Sequence, residues 1–389
     1  MRSDLREVGA GSSDGVILST RVGVDYLQAV THWPGVGRYA RELVRALVRI
    51  DETPDLRLFE FGAERRTISE PALGLAGFDN RYRRRSVRLP RRVLSAVEQV
   101  TGLGADRLLG GVDIFHRIVF EHPPVSKALQ TMAVGELPPI NSSADQRFGE
   151  RLQSLDGLFV ASRHAEGELH RRYAIAPEKI HFVSLGCDHW RRDLPVFDRA
   201  QKQSSLLVLG AIRAERRQAE ILQAFELLFA RDIASRLVIV GGGLPEERKR
   251  FRARLDASPA KSGVNWIDSP IEADMPRLVA EASVLVHLSR GEETAVTPLE
   301  AFSFGTAVVT NPGGAFLEAL GDHAFYFDTQ SEADVDVEKL AACLTDALET
   351  AHVDSYCDER MSIAAPFTWK ASAKRTAKVW KSIAMAAKR

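Results

Sequence analysis

The chain is poor in the features that would tie it to a metal, a polyanion or a bilayer. Its three cysteines, Cys187, Cys343 and Cys357, fit no zinc or dithiol spacing. So sparse and odd a set suits a reducing compartment better than a disulfide framework. Asp, His and Cys nowhere cluster as a metal site. Lys plus Arg and Asp plus Glu number 52 each, so no net field draws the chain to nucleic acid. No apolar run approaches the roughly 20 residues that span a bilayer. The opening residues, MRSDLREVGAGSSDG, lack the apolar core of a signal peptide, and a disordered tail is expected over 1–15. Together these absences predict a cytoplasmic protein. At 389 residues it is too long for one ordinary domain.

What is present is an alternation of short apolar runs with helical patterns. VILSTRVGVD, DLRLFEFG, VDIFH, ALQTMAVG, DGLFVAS and KIHFVSLG read as strands in the first half. In RYARELVRALVRI, Ala40, Leu43, Val44, Leu47 and Ile50 form an apolar stripe at helical spacing. Arg38, Arg41, Arg45 and Arg49 fall on the other side. A polar stretch, DHWRRDLPVFDRAQKQSS, reads as a linker. SSLLVLGA then opens a second series with RLVIVGGG, GVNWID, SVLVHLS, TAVVTN and HAFYFD as its strands. Such alternation predicts two α/β domains with mostly parallel sheets, and a ligand cleft beyond the carboxyl ends of the strands.

The most informative stretch is SRGEETAVTPLEAFSFGTAVV, residues 289–309. Thr297-Pro298-Leu299-Glu300 has the spacing of a capping box with Pro at the first helical position. The same geometry, a helix start at the end of a parallel strand, also suits a diphosphate, with Glu300 free to accept from ribose hydroxyls. Spacing alone leaves both readings open for Glu300.

An ordered set of motifs runs over nearly the whole chain. PGVGRYARELVRAL (34–47), VASRHAEGELHRRYAIAPEKIHFVSLGCD (160–188), LVLGAIRAERRQAEILQAF (207–225), RLVIVGGG (236–243) and GDHAFYFD (321–328) occur in sequence around the Glu292 and Glu300 pair. In this the chain resembles the retaining glycosyltransferases of family 4, which have the GT-B fold. The resemblance implies two Rossmann-like domains facing a central cleft. An N-terminal acceptor-side domain would cover 16–188, a linker 189–204, and a nucleotide-sugar-binding domain 205–368. The helix 369–388 would pack back on the first domain.

The same resemblance implies roles for residues. Glu300 would hold the nucleotide ribose, and Glu292 would approach the donor sugar. Amides of Ala295, Val296 and Thr297 would face the diphosphate. Arg216 would neutralise the phosphates, with Arg217 and Arg213 as neighbours able to substitute. The loop Gly35-Val36-Gly37 would let backbone approach phosphate or sugar closely. No metal or other cofactor is implied, because retaining enzymes of this fold generally work without one.

Three departures stand out. Ala211 replaces a basic residue, Glu293-Thr294-Ala295 replaces Gly-Phe-Gly, and Gly135 stands where a histidine faces the donor sugar. His116 is a poor substitute, since a histidine at a strand end is usually structural. The basic run Arg81–Arg92 reads either as a solvated face or as a contact for anionic headgroups or a lipid diphosphate on the inner membrane surface. The expected activity is transfer of a mannose- or rhamnose-like hexose from a nucleotide diphosphate sugar to a glycan or lipid-linked acceptor. Surface polysaccharide such as lipopolysaccharide is the expected setting. The alternative is a weak or inactive GT-B module that binds a partner or glycan.

Overall fold

The computed structural model describes residues 20–388, apart from 33, 90–92, 94–95, 97–100, 121–122, 194–203, 290–293 and 330–334. The expected tail at 1–15, Glu292, Glu293 and the end of the basic run therefore lie outside the described residues, as does most of the linker.

Among the described residues, one sheet has seven parallel strands in the order β3-β2-β1-β4-β5-β6-β7. They are β1 Arg21–Asp25, β2 Asp55–Phe61, β3 Tyr82–Val87, β4 Ile114–Arg117, β5 Leu129–Val134, β6 Gly157–Val160 and β7 Ile180–Phe182. A second parallel sheet has six, in the order β10-β9-β8-β11-β12-β13. These are β8 Ser205–Leu209, β9 Arg236–Val240, β10 Val264–Ile267, β11 Val284–His287, β12 Ala307–Thr310 and β13 Phe325–Tyr326. Central strands such as β8 (SLLVL) and β12 (AVVT) are buried along their whole length. Helices on both faces require such continuous apolar runs.

Each sheet reverses its strand order once, between β1 and β4 in the first and between β8 and β11 in the second. At such a point the flanking helices diverge and leave a crevice at the carboxyl ends of the strands.

The chain crosses between the domains twice. After Pro366, Thr368 caps the helix Trp369–Ala386 by accepting from Ala371 N at 3.1 Å. That helix buries Trp369, Ala373, Val379 and Trp380 in the core of the first domain, against residues such as Val22, Val24, Leu43 and Leu47. The two crossings touch. Cys187 N donates to Phe367 O at 2.9 Å, and Trp369 N donates to Asp188 Oδ1 at 2.8 Å. Gly186 leaves no room for a Cβ against Trp369. Burial pushes the Cys187 thiol up to about 12, so it packs as a neutral group.

Two local expectations are corrected. The run from Arg81 is not simply a solvated face, because Tyr82–Val87 forms the edge strand β3. Arg84 there is neutralised by Glu60 and Glu70, while Arg81, Arg83, Arg85 and Arg88 remain exposed. Arg41, on the side of its helix away from the apolar stripe, is nonetheless buried, with Nη1 donating to Ala29 O at 3.0 Å. The linker is not polar throughout, since His189 and Trp190 at its start are buried.

His116, at the end of β4, is wholly buried between Tyr39 Oη, 3.0 Å from Nε2, and Thr131 Oγ1, 2.9 Å from Nδ1. Burial holds its pKa down to about 3, so it stays neutral and structural. Trp380 donates to the same Thr131 hydroxyl at 3.2 Å. Trp380→Ala should therefore open a cavity and strip this network, costing the first domain about 3 to 5 kcal/mol in urea unfolding followed by circular dichroism. A loss under about 1 kcal/mol would mean that the returning helix adds little to that core.

Candidate functional site

The glycine loop and Glu300 fall at the two switch points. Gly35 takes φ 58° and ψ −127° as the N-cap of the helix Val36–Leu47, a conformation that side-chain-bearing residues avoid. Gly37 has the His32 carbonyl where a Cβ would sit. The two glycines let the helix begin directly at the cleft, with Arg38 in its first turn.

Arg38 crosses the cleft. Its Nη1 donates to Glu300 Oε1 at 3.2 Å, and its Nε and Nη2 reach the two carboxylate oxygens of Glu272 at 3.1 and 3.4 Å. The guanidinium lies over the Trp190 ring, 4.4 Å from its centroid. Trp190 Nε1 in turn donates to Glu272 Oε1 at 3.2 Å. On the other side His189 Nε2 lies 3.3 Å from Glu300 Oε1. Trp369 Nε1 donates to His189 Nδ1 at 3.2 Å. An indole N–H only donates, so Nδ1 is the acceptor in that bond, while Nε2 lies close to Glu300 Oε1 with no hydrogen-bond partner among the described residues.

Glu300 is 1% exposed, and its Oε2 has no hydrogen-bond partner among the described residues. Burial alone would raise its pKa, but Arg38 and then His189 outweigh that and hold it below the ordinary glutamate value. Burial likewise works against charge on Arg38, and the Glu300 and Glu272 carboxylates outweigh it and raise its pKa. Glu300 and Arg38 therefore stay ionised as a pair.

The capping-box reading of Thr297 and Glu300 is overturned. The helix runs Val296–Phe302 with Ala295 at its N-cap and no side-chain cap, so it starts ahead of Thr297. Thr297 is already within the first turn, and the Glu300 carboxylate turns to Arg38 and His189 instead of its own backbone. Val296 and Thr297 amides lie in the turn that intrahelical bonds do not reach.

Arg216 ends the short turn Ala214–Arg216 after β8, and its guanidinium lies across Gly210, where a Cβ would be 2.7 Å from Nη1. It thus shares the carboxyl edge of the β8–β11 crevice with the helix of Glu300. Arg217 pairs locally with Glu220 at 3.0 Å. The Ala211 carbonyl accepts from Gln218 Nε2 at 2.9 Å. Gly135, just past β5, has open space where a side chain would project. Among the described residues, no group of three or more His, Cys, Asp or Glu could hold a metal ion, and no helix is long and apolar enough to cross a membrane.

A second contact joins the domains. Glu318 accepts from the backbone N–H groups of Arg163 and His164, at 2.8 and 3.1 Å, at the start of the helix Arg163–Tyr173. Beside it a narrow cleft runs between Ser162 and Phe182 on one side and Ala295, Val296 and Leu299 on the other.

Arg38, His189, Trp190, Glu272 and Glu318 were missed by sequence reasoning. Only Arg38 carried a local signal, its place directly after the glycine loop; the others acquire partners far along the chain.

Residues 192–359 match the family of glycosyl transferases, group 1. The fold is GT-B. WaaG, a glycosyltransferase involved in lipopolysaccharide biosynthesis, superposes with a TM-score of 0.68 at 14% identity, over 92% of this chain and 99% of that one. HepE of Anabaena in complex with UDP-glucose gives 0.67 at 12% identity, over 94% of this chain and all of that one. Such identities establish the GT-B fold alone. In sequence, glycogen synthase of Bordetella parapertussis is 26% identical over 203 residues, 48% of this chain and 38% of that protein. The chain spans less than half the length of the curated relatives it matches.

The Glu300 cluster sets a pH dependence on the GT-B cleft. The folded pKa of Glu300 lies below its ordinary value, so its stabilisation is complete above pH about 4.3 and is lost as pH falls through the folded value. Glu300→Gln should cost about 3 kcal/mol at pH 7, the low end for a broken buried pair because Arg38 keeps Glu272. The gap between variant and wild type should close as the pH is lowered below about 4. A gap independent of pH in denaturant titrations would mean that the carboxylate charge is not what is lost.

Proposed function

We propose that the chain is a retaining glycosyltransferase. It moves a hexose from a nucleotide diphosphate sugar to a hydroxyl of a glycan or lipid-linked acceptor. The observation that carries this reading is Glu300: a buried carboxylate at the β8–β11 crevice, with one oxygen lacking a hydrogen-bond partner among the described residues, inside the segment matched by the family of glycosyl transferases, group 1.

In this reading Glu300 accepts from the ribose hydroxyls, and Arg216 neutralises the diphosphate beside the amides of Ala295, Val296 and Thr297. A charge-assisted bond of that kind is worth about 1.5 to 3 kcal/mol. Glu292 approaches the sugar, and Gly35-Val36-Gly37 faces it from the first domain. The acceptor oxygen bonds to the anomeric carbon as the bond from that carbon to the phosphate oxygen breaks. The departing phosphate oxygen takes the acceptor proton, so no enzyme base is needed, and no metal is assigned. A mannose- or rhamnose-like donor and a role in surface polysaccharide such as lipopolysaccharide fit the resemblance, and the WaaG likeness is in keeping with it. The exposed arginines Arg81, Arg83, Arg85 and Arg88 suit an anionic membrane face or a lipid diphosphate acceptor, which would place the enzyme at the cytoplasmic side.

Gly135 and Ala211 favour a second reading, a module that binds nucleotide sugar without turning it over. The two part in one experiment: a panel of nucleotide diphosphate sugars, with release of nucleoside diphosphate and NMR of the product's anomeric configuration as readouts. Release with retention is expected, and binding without release would favour the inactive module. Arg216→Ala should weaken nucleoside diphosphate binding at least tenfold while leaving nucleoside binding within about twofold. Equal losses for both ligands would remove Arg216 from the phosphates.

A further inference from the structure

Arg38 occupies the carboxylate that the proposed function reserves for ribose. Its guanidinium and the His189 imidazole both address Glu300 Oε1, at 3.2 and 3.3 Å. Oε2 lacks a hydrogen-bond partner among the described residues, yet the side chain is sealed from solvent. A ribose presents two adjacent hydroxyls and needs approach to both oxygens. In this arrangement it has neither: one oxygen carries the cation and the other is enclosed.

The seal is made by both domains, and Arg38 is the member that comes from the first. His189 and Trp190 lie on the connecting segment, and Glu272 and Glu300 belong to the second domain. Arg38 is held by bonds to both Glu272 oxygens and by the Trp190 ring, so it is a placed group and not a loose surface arginine. Two carboxylates facing one guanidinium would repel if it left, unless other donors or cations arrived. Ribose hydroxyls at Glu300 would supply such donors.

We propose that Arg38 is an internal competitor of the nucleotide: it closes the cleft on Glu300, and a nucleoside diphosphate must displace it to bind. This rests on Glu300 being the ribose acceptor. The inference assigns Arg38 a role opposite to that of a ligand-binding arginine. Removing it should strengthen binding of an anionic ligand, although a positive charge is lost. The apparent dissociation constant of a site that is open only part of the time is its intrinsic value divided by the open fraction. A contact that keeps the site closed nine-tenths of the time therefore weakens binding about tenfold.

The test is isothermal titration of UDP, GDP, ADP and dTDP into wild type, Arg38→Met, Arg38→Gln and Glu300→Gln. Arg38→Gln keeps the polar shape without the charge and serves if the Met variant does not fold. The expected result is that the diphosphate recognised by the wild type binds either Arg38 variant about tenfold more tightly, or that a diphosphate too weak to register with wild type becomes measurable. Unchanged or weaker binding to both variants overturns the competitor, while Glu300→Gln still weakening binding leaves the ribose reading standing. If Glu300→Gln binds every diphosphate as wild type does, the ribose reading itself fails and the competitor fails with it.

Discussion

The arrangement of this molecule depends on one largely buried interaction, the Arg38 guanidinium shared between the half-buried Glu272 and the buried Glu300. Charges removed from water must be paired, and a pair with one member missing is far more costly than no pair at all. Here the partners belong to different domains, so satisfying them fixes how the domains meet. The aromatic ring of Trp190 covers one face of the guanidinium, and His189 covers the far side of Glu300. The site at the cleft and the joint between the domains are in this way the same set of atoms.

Parallel sheets explain why such a cluster can form. Every strand of both sheets delivers its carboxyl end to the same edge, and the reversals between β1 and β4 and between β8 and β11 open that edge to a crevice. The glycine loop follows β1, Arg216 follows β8, and the helix of Glu300 follows β11. Their sequence distances are large, yet the topology brings them to two facing edges. Glu318 repeats the theme away from the cluster. It places a carboxylate at the amino end of the helix Arg163–Tyr173, whose dipole favours a negative charge.

Much of the fold was legible because buried parallel strands read as short apolar runs. The runs around Val22, Leu58, Leu158, Leu206 and Val308 all became strands. The GT-B layout came from ordered motifs, not from periodicity, and the residues proposed for the nucleotide side rest on the same motifs. Two kinds of feature were not legible. The strand Tyr82–Val87 was hidden because an edge strand has one side to solvent and tolerates arginine at most positions. The cluster around Glu300 was hidden for a different reason. Capping logic uses neighbours within one turn, whereas the Glu300 partner Arg38 lies 262 residues away. The stripe of Ala40, Leu43, Val44 and Leu47 was read correctly, but a helix pattern places an arginine only on the polar side. It does not say whether that side meets water or another domain.

The returning helix ties these parts together. Trp369 opens it, and its indole N–H donates to His189 Nδ1, which sets the ring beside Glu300 with Nε2 3.3 Å from Oε1. A few turns later Trp380 anchors the same helix through Thr131 in the first domain. Asp188, immediately before His189, accepts the Trp369 amide. The two chain crossings, where any relative rotation of the domains must be absorbed, are bonded to each other and packed against the carboxylate at the cleft. A movement that parts Arg38 from Glu300 must either carry His189 and Trp369 with the second domain or strain their contacts with the first. The small, tightly backed Gly186 and the carbonyl of Phe367 leave little slack there. Opening at the cleft is in this way resisted at the hinge, through packed side chains and hydrogen bonds and not through distance alone.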